Sequence, residues 1–331
     1  MTARSSSIAL ENITRDLVRT TRPRLPPALG FEGDAEYVKQ VEIWKRWINW
    51  EKEDPLVLKD EDPAAYKARV VYTYKQALMA LRFWPEMWYE AAEFCFQNDM
   101  ESEGNEFLIQ GVNANPESCL LAFKRADRIE LTAEPEEGEE GLKRRGDAVR
   151  EPYNKVLDAL YDLINQTKKR EEQTIARVKE MFAQQVPSSP EDSNDDDDDD
   201  DSGNRAVNPR EAALQAQIQA IEAGNNAQIH LLKRTISYAW IALMRAMRRI
   251  QGKGKPNGAV GGFRQIFADA RRKGRILSEV YVTSALIEYH CYKDPAATKI
   301  FERGMKLFPD DENFALEYLK HLIAINDITS K

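Results

Sequence analysis

From residue 41 onward, apolar side chains recur at helical spacing, and the densest stretch is aromatic. Val41, Trp44, Trp47, Ile48 and Glu51 share one face of a helix, while Ile43 and Trp50 widen the stripe. So broad a face needs neighbours on two sides, which stacked helix pairs supply and an isolated amphipathic helix does not. The pattern of three large apolar positions three apart, then Glu, returns in weakened form from Trp88, Phe123, Trp240, Tyr281 and Ala315, and the glutamate persists as Glu51, Glu130 and Glu288. Between these A helices lie B helices of another kind. Tyr74 with Ala77, Ile109 with Val112 beside Gly111, and Phe301 with Gly304 set a bulky residue near a small one, where a partner helix can approach; Pro85, Pro116 and Pro309 then end each pair.

Successive A motifs start at 44, 88, 123, 240, 281 and 315, so their steps are 44, 35, 117, 41 and 34 residues. Four of these fit a two-helix repeat, for which about 34 is a usual period. The sequence therefore predicts an all-α, right-handed α-solenoid of helix-turn-helix repeats, with an insertion inside the long step. The expected divisions are 1–30, the end of an upstream helix (Ile8 to Val18) and a Pro-rich connector; 31–185, repeats 1 to 3; 186–209, an acidic disordered insertion; and 210–331, repeats 4 to 6 with the last incomplete. Ala133 to Gly141 should separate the two helices of repeat 3, whose second helix should start at Pro152 and run on toward Gln185. The helix from Phe314 to Ile325 has no partner after it, as in a piece of a longer solenoid.

Charge changes the picture once the insertion is set aside. The formal net charge is −8, but Glu191, Asp192 and the seven aspartates Asp195 to Asp201 carry nine negative charges, leaving the remainder at +1. Such a segment cannot bury enough apolar surface to order itself. The three cysteines are widely spaced and neither a signal peptide nor a long apolar run is present, which fits a soluble, reducing, intracellular setting with no membrane partner.

The chemistry-bearing residues read mostly as structure. Glu51, Glu130 and Glu288 lie on packed faces and require donors; no second acid or base marks any of them as catalytic. His290 and Cys291 lack further ligands at metal spacing, so neither metal nor cofactor is expected. The segment Gly252 to Gly262 lacks the strand and the Gly-Lys-Ser/Thr of a phosphate loop, and reads as a flexible turn within repeat 4. Around it, Arg245, Arg248, Arg249, Lys253 and Lys255, then Arg271, Arg272, Lys273 and Arg275, form a basic stretch without interleaved aromatics. It suits a solvated or acidic-partner surface better than direct RNA binding. Phe83 and Trp84, at a helix end, are candidates for partial exposure toward a partner.

Trp44, Trp47, Trp50 and Glu51, with Tyr74 to Leu78 and Pro85 behind them, resemble the half-a-TPR (HAT) repeat of RNA-processing scaffolds. The order of the segments Trp47 to Leu56, Arg69 to Leu78, Trp84 to Ala92, Val280 to Tyr289 and Lys293 to Phe301 is similar to the suppressor-of-forked family, the large HAT subunit of cleavage stimulation factor or yeast cleavage factor IA. The Asp run suggests a fungal version. The resemblance implies a non-enzymatic nuclear scaffold for pre-mRNA cleavage and polyadenylation that forms a homodimer and joins other cleavage-factor subunits; the family's grip on its RNA-binding subunit lies beyond this chain. Alternatives are a HAT scaffold of spliceosomal or ribosomal-RNA processing, or a directly RNA-binding repeat module. The expected repeat core is Trp44, Trp47, Trp50, Glu51, Trp88, Phe123, Glu130, Trp240, Tyr281, Glu288, Phe301 and Arg303. The helix-B arginine of the family is kept only as Arg303, with Gln76, Gln110, Lys155 and Asp269 elsewhere, so a glutamate–arginine pair is expected in the last full repeat at most. Phe314, Leu316, Tyr318, Leu319 and Leu322 make the final A helix apolar on nearly every side and are the expected dimer surface.

Overall fold

A computed structural model describes residues 3–20, 22–27, 30–133, 138–184 and 209–325. The acidic insertion anticipated at 186–209 lies outside the described residues, except for Pro209. Among the described residues the secondary structure is helical, without strands. The helices are α1 (Ala3–Thr14), α2 (Asp34–Lys52), α3 (Leu58–Glu61), α4 (Pro63–Ala80), α5 (Pro85–Gln97), α6 (Glu101–Ala114), α7 (Cys119–Thr132), α8 (Gly138–Gln184), α9 (Pro209–Gln251), α10 (Gly262–Lys273), α11 (Ser278–Tyr292), α12 (Ala296–Leu307) and α13 (Glu312–Ala324). The predicted A helices are α2, α5, α7, α9, α11 and α13, and the B helices are α4, α6, α8, α10 and α12. Pro63 and Pro85 occupy first-turn positions, where their missing N–H costs nothing, and Asp62, Ser118 and Asp311 cap α4, α7 and α13 with side-chain oxygens.

Two boundaries differ from the expectation. The upstream helix is Ala3–Thr14, ending before Val18. The second helix of repeat 3 begins at Gly138, so Pro152 lies inside α8 and does not open it. The proline forfeits one helical hydrogen bond, but Val149, Tyr153, Val156 and Leu157 on either side of it continue one buried stripe. Packing of that stripe outweighs the local break.

The chain divides into two compact units, Met1–Leu157 with Ala242–Ile266, and Asp158–Ile241 with Phe267–Lys331. In the first, α2, α4, α5 and α6 share a core of Trp44, Trp47, Trp50, Tyr74, Trp88 and Phe107. Ala9, Leu10 and Ile13 of α1, with Leu17 just after it, pack against this core, so α1 lies along α2. In the second unit, Trp240 of α9 donates to the Tyr161 hydroxyl of α8 at 3.2 Å, and that hydroxyl donates to the Gly274 carbonyl at 2.8 Å. Arg210 near the start of α9 donates to the Phe182 carbonyl near the end of α8, so the helix ends flanking 185–208 lie together.

The small residues of the B helices do what their spacing implies. Gly304 is buried against the Phe314 ring, in a place where any Cβ would collide with it, and Gly111 meets Trp88 in the same way.

Candidate functional site

The repeat seam is built on buried aromatics and on glutamate–arginine ion pairs. Trp44 and Trp47 stack at 5.2 Å, and the Trp47 indole donates to Glu51 Oε1 at 3.3 Å. Glu51, with 6% of its surface exposed, also accepts from Arg69 Nε at 3.1 Å and Nη2 at 2.9 Å. This overturns the expectation that a glutamate–arginine pair survives only in the last full repeat. Arg69 lies seven residues before Gln76, two turns nearer the start of the same B helix, and its long side chain reaches the carboxylate from there. Glu130 is also paired: Arg249 of α9 donates to both of its oxygens at 2.7 and 2.6 Å, which raises the Arg249 pKa above its usual value. Of the expected core positions, Glu130 and Phe123 are only half-buried and Arg303 is exposed, so these three are not core. Glu288 is buried in α11 and has a partner within the chain, while the retained Arg303 is exposed on α12. Tyr281 packs edge-on against Phe267 and Phe308, whereas Phe301 is tilted against Phe314 and stacked on Tyr318.

The expected dimer surface on α13 is only partly available. Phe314 and Leu322 are buried under the chain's own α11 and α12, because an A helix must turn its best apolar stripe toward the preceding pair. Tyr318 is half-buried on Phe301. Leu316, Leu319 and Ile323 remain exposed at 50%, 41% and 55%, spaced along the opposite side.

The basic residues are largely committed internally. Arg249 holds Glu130, Arg272 donates to Asp269 at 2.7 Å, Lys273 to Asp158 at 2.6 Å and Arg275 to Asn165 at 2.8 Å. Arg248 and Lys253 also have partners within the chain. Arg245 and Lys255 are exposed, and Arg271 is half-buried. The glycine-rich segment between α9 and α10 is a hydrogen-bonded turn. Phe263 and Arg264 donate to the carbonyls of Gly252 and Lys253, Lys255 to Val260, and the Gln265 side chain accepts from Asn257. Gly254, at φ +63°, lies so close to the Gly261 carbonyl that no side chain fits.

Phe83 and Trp84 are half-buried, and Trp84 lies 5.8 Å from Tyr37. A cleft of about 810 Å³, absent from the sequence reading, opens between α4 and α6, walled by Lys75, Met79, Arg82, Glu103 and Glu106 over Trp88 and Phe107. The spacing of Lys75 and Met79 on one face of α4, with Arg82 just past its end, was the available signal. Among the described residues no group of three His, Cys, Asp or Glu side chains could hold a metal ion, and no helix is long and apolar enough to cross a membrane.

Aromatic A helices, small-residue B helices and buried glutamates thus recur in register along the chain. Over residues 1–331 it matches the family described as Suppressor of forked protein (Suf). The chain belongs to the suppressor-of-forked family. Its relatives include the mRNA 3'-end-processing protein rna14 of Aspergillus fumigatus, 68% identical over 99% of this chain and 31% of that protein. The Neurospora crassa protein rna-14 is 52% identical over all of this chain and 28% of its own length, and Yarrowia lipolytica RNA14 is 31% identical over 99% and 32%. The chain therefore spans about a third of the length of these suppressor-of-forked relatives.

Proposed function

We propose that this chain is a non-enzymatic scaffold segment of the pre-mRNA 3'-end cleavage and polyadenylation machinery, acting in the nucleus. The observation that carries the reading is the match along the whole chain to fungal proteins named for mRNA 3'-end processing, together with a fold made of helix pairs. Such a scaffold works by geometry: rigid helix pairs present many side chains, and several weak contacts add as avidity. The partners on this reading are other cleavage-factor subunits and a second copy of the chain. The exposed row Leu316, Leu319 and Ile323 on α13 supports self-association through the later repeats.

The test is the mass of the chain by light scattering, at low and high salt. A salt-resistant dimer is expected, because an obligate apolar interface above about 2,000 Å² is little affected by screening. Replacing Leu316 and Leu319 together by Asp should give a monomer with an unchanged helical spectrum. A monomeric wild-type chain would overturn the dimer. Direct RNA binding is the weaker reading, since most of the nominated cations already hold acceptors. It predicts an RNA affinity that falls steeply with salt and is lost when Arg245 and Lys255 are replaced.

A further inference from the structure

Within the first unit, the cleft between α4 and α6 presents two walls of opposite charge. Lys75 and Met79 on α4, with Arg82 just past its end, form one wall, and Glu103 and Glu106 of α6 form the other, all of them exposed. The floor is apolar, made of the buried Leu78, Trp88 and Phe107. The charges of the two walls do not pair with one another. Lys75, Arg82 and Glu103 have no side-chain hydrogen bond or ion pair with any described residue, and Glu106 meets only Gln110 of its own helix, at 2.6 Å. The walls stand apart because α4 and α6 each pack on α5 and not on one another. At one end the cleft is closed, where the Asn115 side chain after α6 and the Trp88 indole both donate to the Arg82 carbonyl, at 3.1 and 2.8 Å. That bridge fixes the walls before anything binds, which lowers the ordering cost of an occupant.

We propose that this cleft holds an amphipathic helix of a partner protein, one whose apolar stripe is flanked by acids along one edge and by bases along the other. The α6 wall runs from Ser102 to Asn113, which is about 16 Å, the length of about three helical turns. Both walls are helices whose backbone groups are bonded internally, so they offer no strand edge, and an occupant that satisfies its own backbone loses least. Met79, 45% exposed, is the adaptable apolar contact at the rim. Charge sets the edges. A uniformly acidic or uniformly basic helix meets like charge on one wall whichever way it lies, and a nucleic acid meets Glu103 and Glu106. Of the described residues in the connector 22–27 only Pro23 borders the cleft, so the connector does not fill it. The site rests on the scaffold reading and names the kind of partner that one of its surfaces takes.

The experiment uses the whole 331-residue chain and fluorescence anisotropy with labelled probes. Three are helical peptides sharing one leucine stripe, with glutamate on one edge and lysine on the other, glutamate on both, or lysine on both; the fourth is an oligouridylate. The mixed peptide should bind about tenfold tighter than any other probe, since each uniform peptide exchanges attractive contacts for repulsive ones along one wall. Glu103→Lys with Glu106→Lys should turn the preference to the all-glutamate peptide, and Lys75→Glu with Arg82→Glu to the all-lysine one. All four side chains are exposed, so the helical spectrum should not change. Met79→Asp should weaken the mixed peptide. The proposal is overturned if the wild-type chain ignores the mixed peptide, if neither reversal changes the preference, if Met79→Asp leaves the affinity unchanged, or if the oligouridylate binds best. A loss of dimer mass in either reversal would also overturn it, by assigning the cleft to a second copy. The scaffold reading fails separately, on the mass of the wild-type chain.

Discussion

Arg69 of α4 forks onto Glu51 of α2, joining the two helices of the first repeat through a carboxylate that is 6% exposed. A charge at that depth depends on its partner. Arg69→Met should therefore destabilise the chain by about 2 kcal/mol; the 3–5 kcal/mol typical of a fully buried pair is reduced because the arginine side chain is 40% exposed. The double replacement Glu51→Leu with Arg69→Met should recover most of the loss, since an apolar pair leaves no stranded charge. Urea denaturation of the three variants checks this, and additive losses would reject the coupling.

Trp47 stacks on Trp44, donates to Glu51 and lies beneath the Arg19 guanidinium at 5.5 Å. Trp47→Ala should cost roughly 3–5 kcal/mol in the same assay, as for other large aromatic truncations in packed seams. A change under about 1 kcal/mol would be that of a surface residue and would place the repeat register elsewhere.

Two glycines should respond in opposite directions. Gly304→Val pushes a side chain into the Phe314 ring and should lower stability by about 1–3 kcal/mol. Gly224, within α9, has nothing within 4 Å of the place a Cβ would occupy, so Gly224→Ala should raise stability by about 0.5–1 kcal/mol. Thermal midpoints read both. An unchanged or raised midpoint in Gly304→Val would contradict the close approach of α12 and α13.

His321 gives the fold a pH dependence. Its ring packs on Phe301 and Tyr289 with centroids 5.0 Å away, Nε2 meets the Thr298 hydroxyl at 3.0 Å, and Nδ1 is buried without a partner. Burial first, and His290 second, hold its pKa below the ordinary value of 6.5. The unfolded chain then binds the proton more readily, so this contribution is complete above about pH 6.5 and is lost as pH falls toward the folded value. His321→Phe should flatten the fall in urea midpoint between about pH 7.5 and 5.5. Equal pH slopes in the two proteins would remove His321 as the cause.

The helical class, the order of A and B helices and the aromatic core were legible in the sequence, because helix faces follow a fixed period and Gly or Ala beside a bulky residue signals close approach whatever the surroundings. Trp44, Trp47, Trp88, Trp240 and Tyr281 are buried as that period requires. Tertiary structure alone decided the partners. Arg69 reaches Glu51 from two turns away along its helix, and Arg249 reaches Glu130 across 119 residues of chain, distances at which spacing in the sequence carries no information. It also divided α13, burying Phe314 and Leu322 while leaving Leu316 and Leu319 in solvent, and it left Arg271 without the acceptor its neighbours have. Periodicity tells which side chains share a face. Which face meets which neighbour, and which charge finds its counterion, depends on contacts made only when distant helices pack.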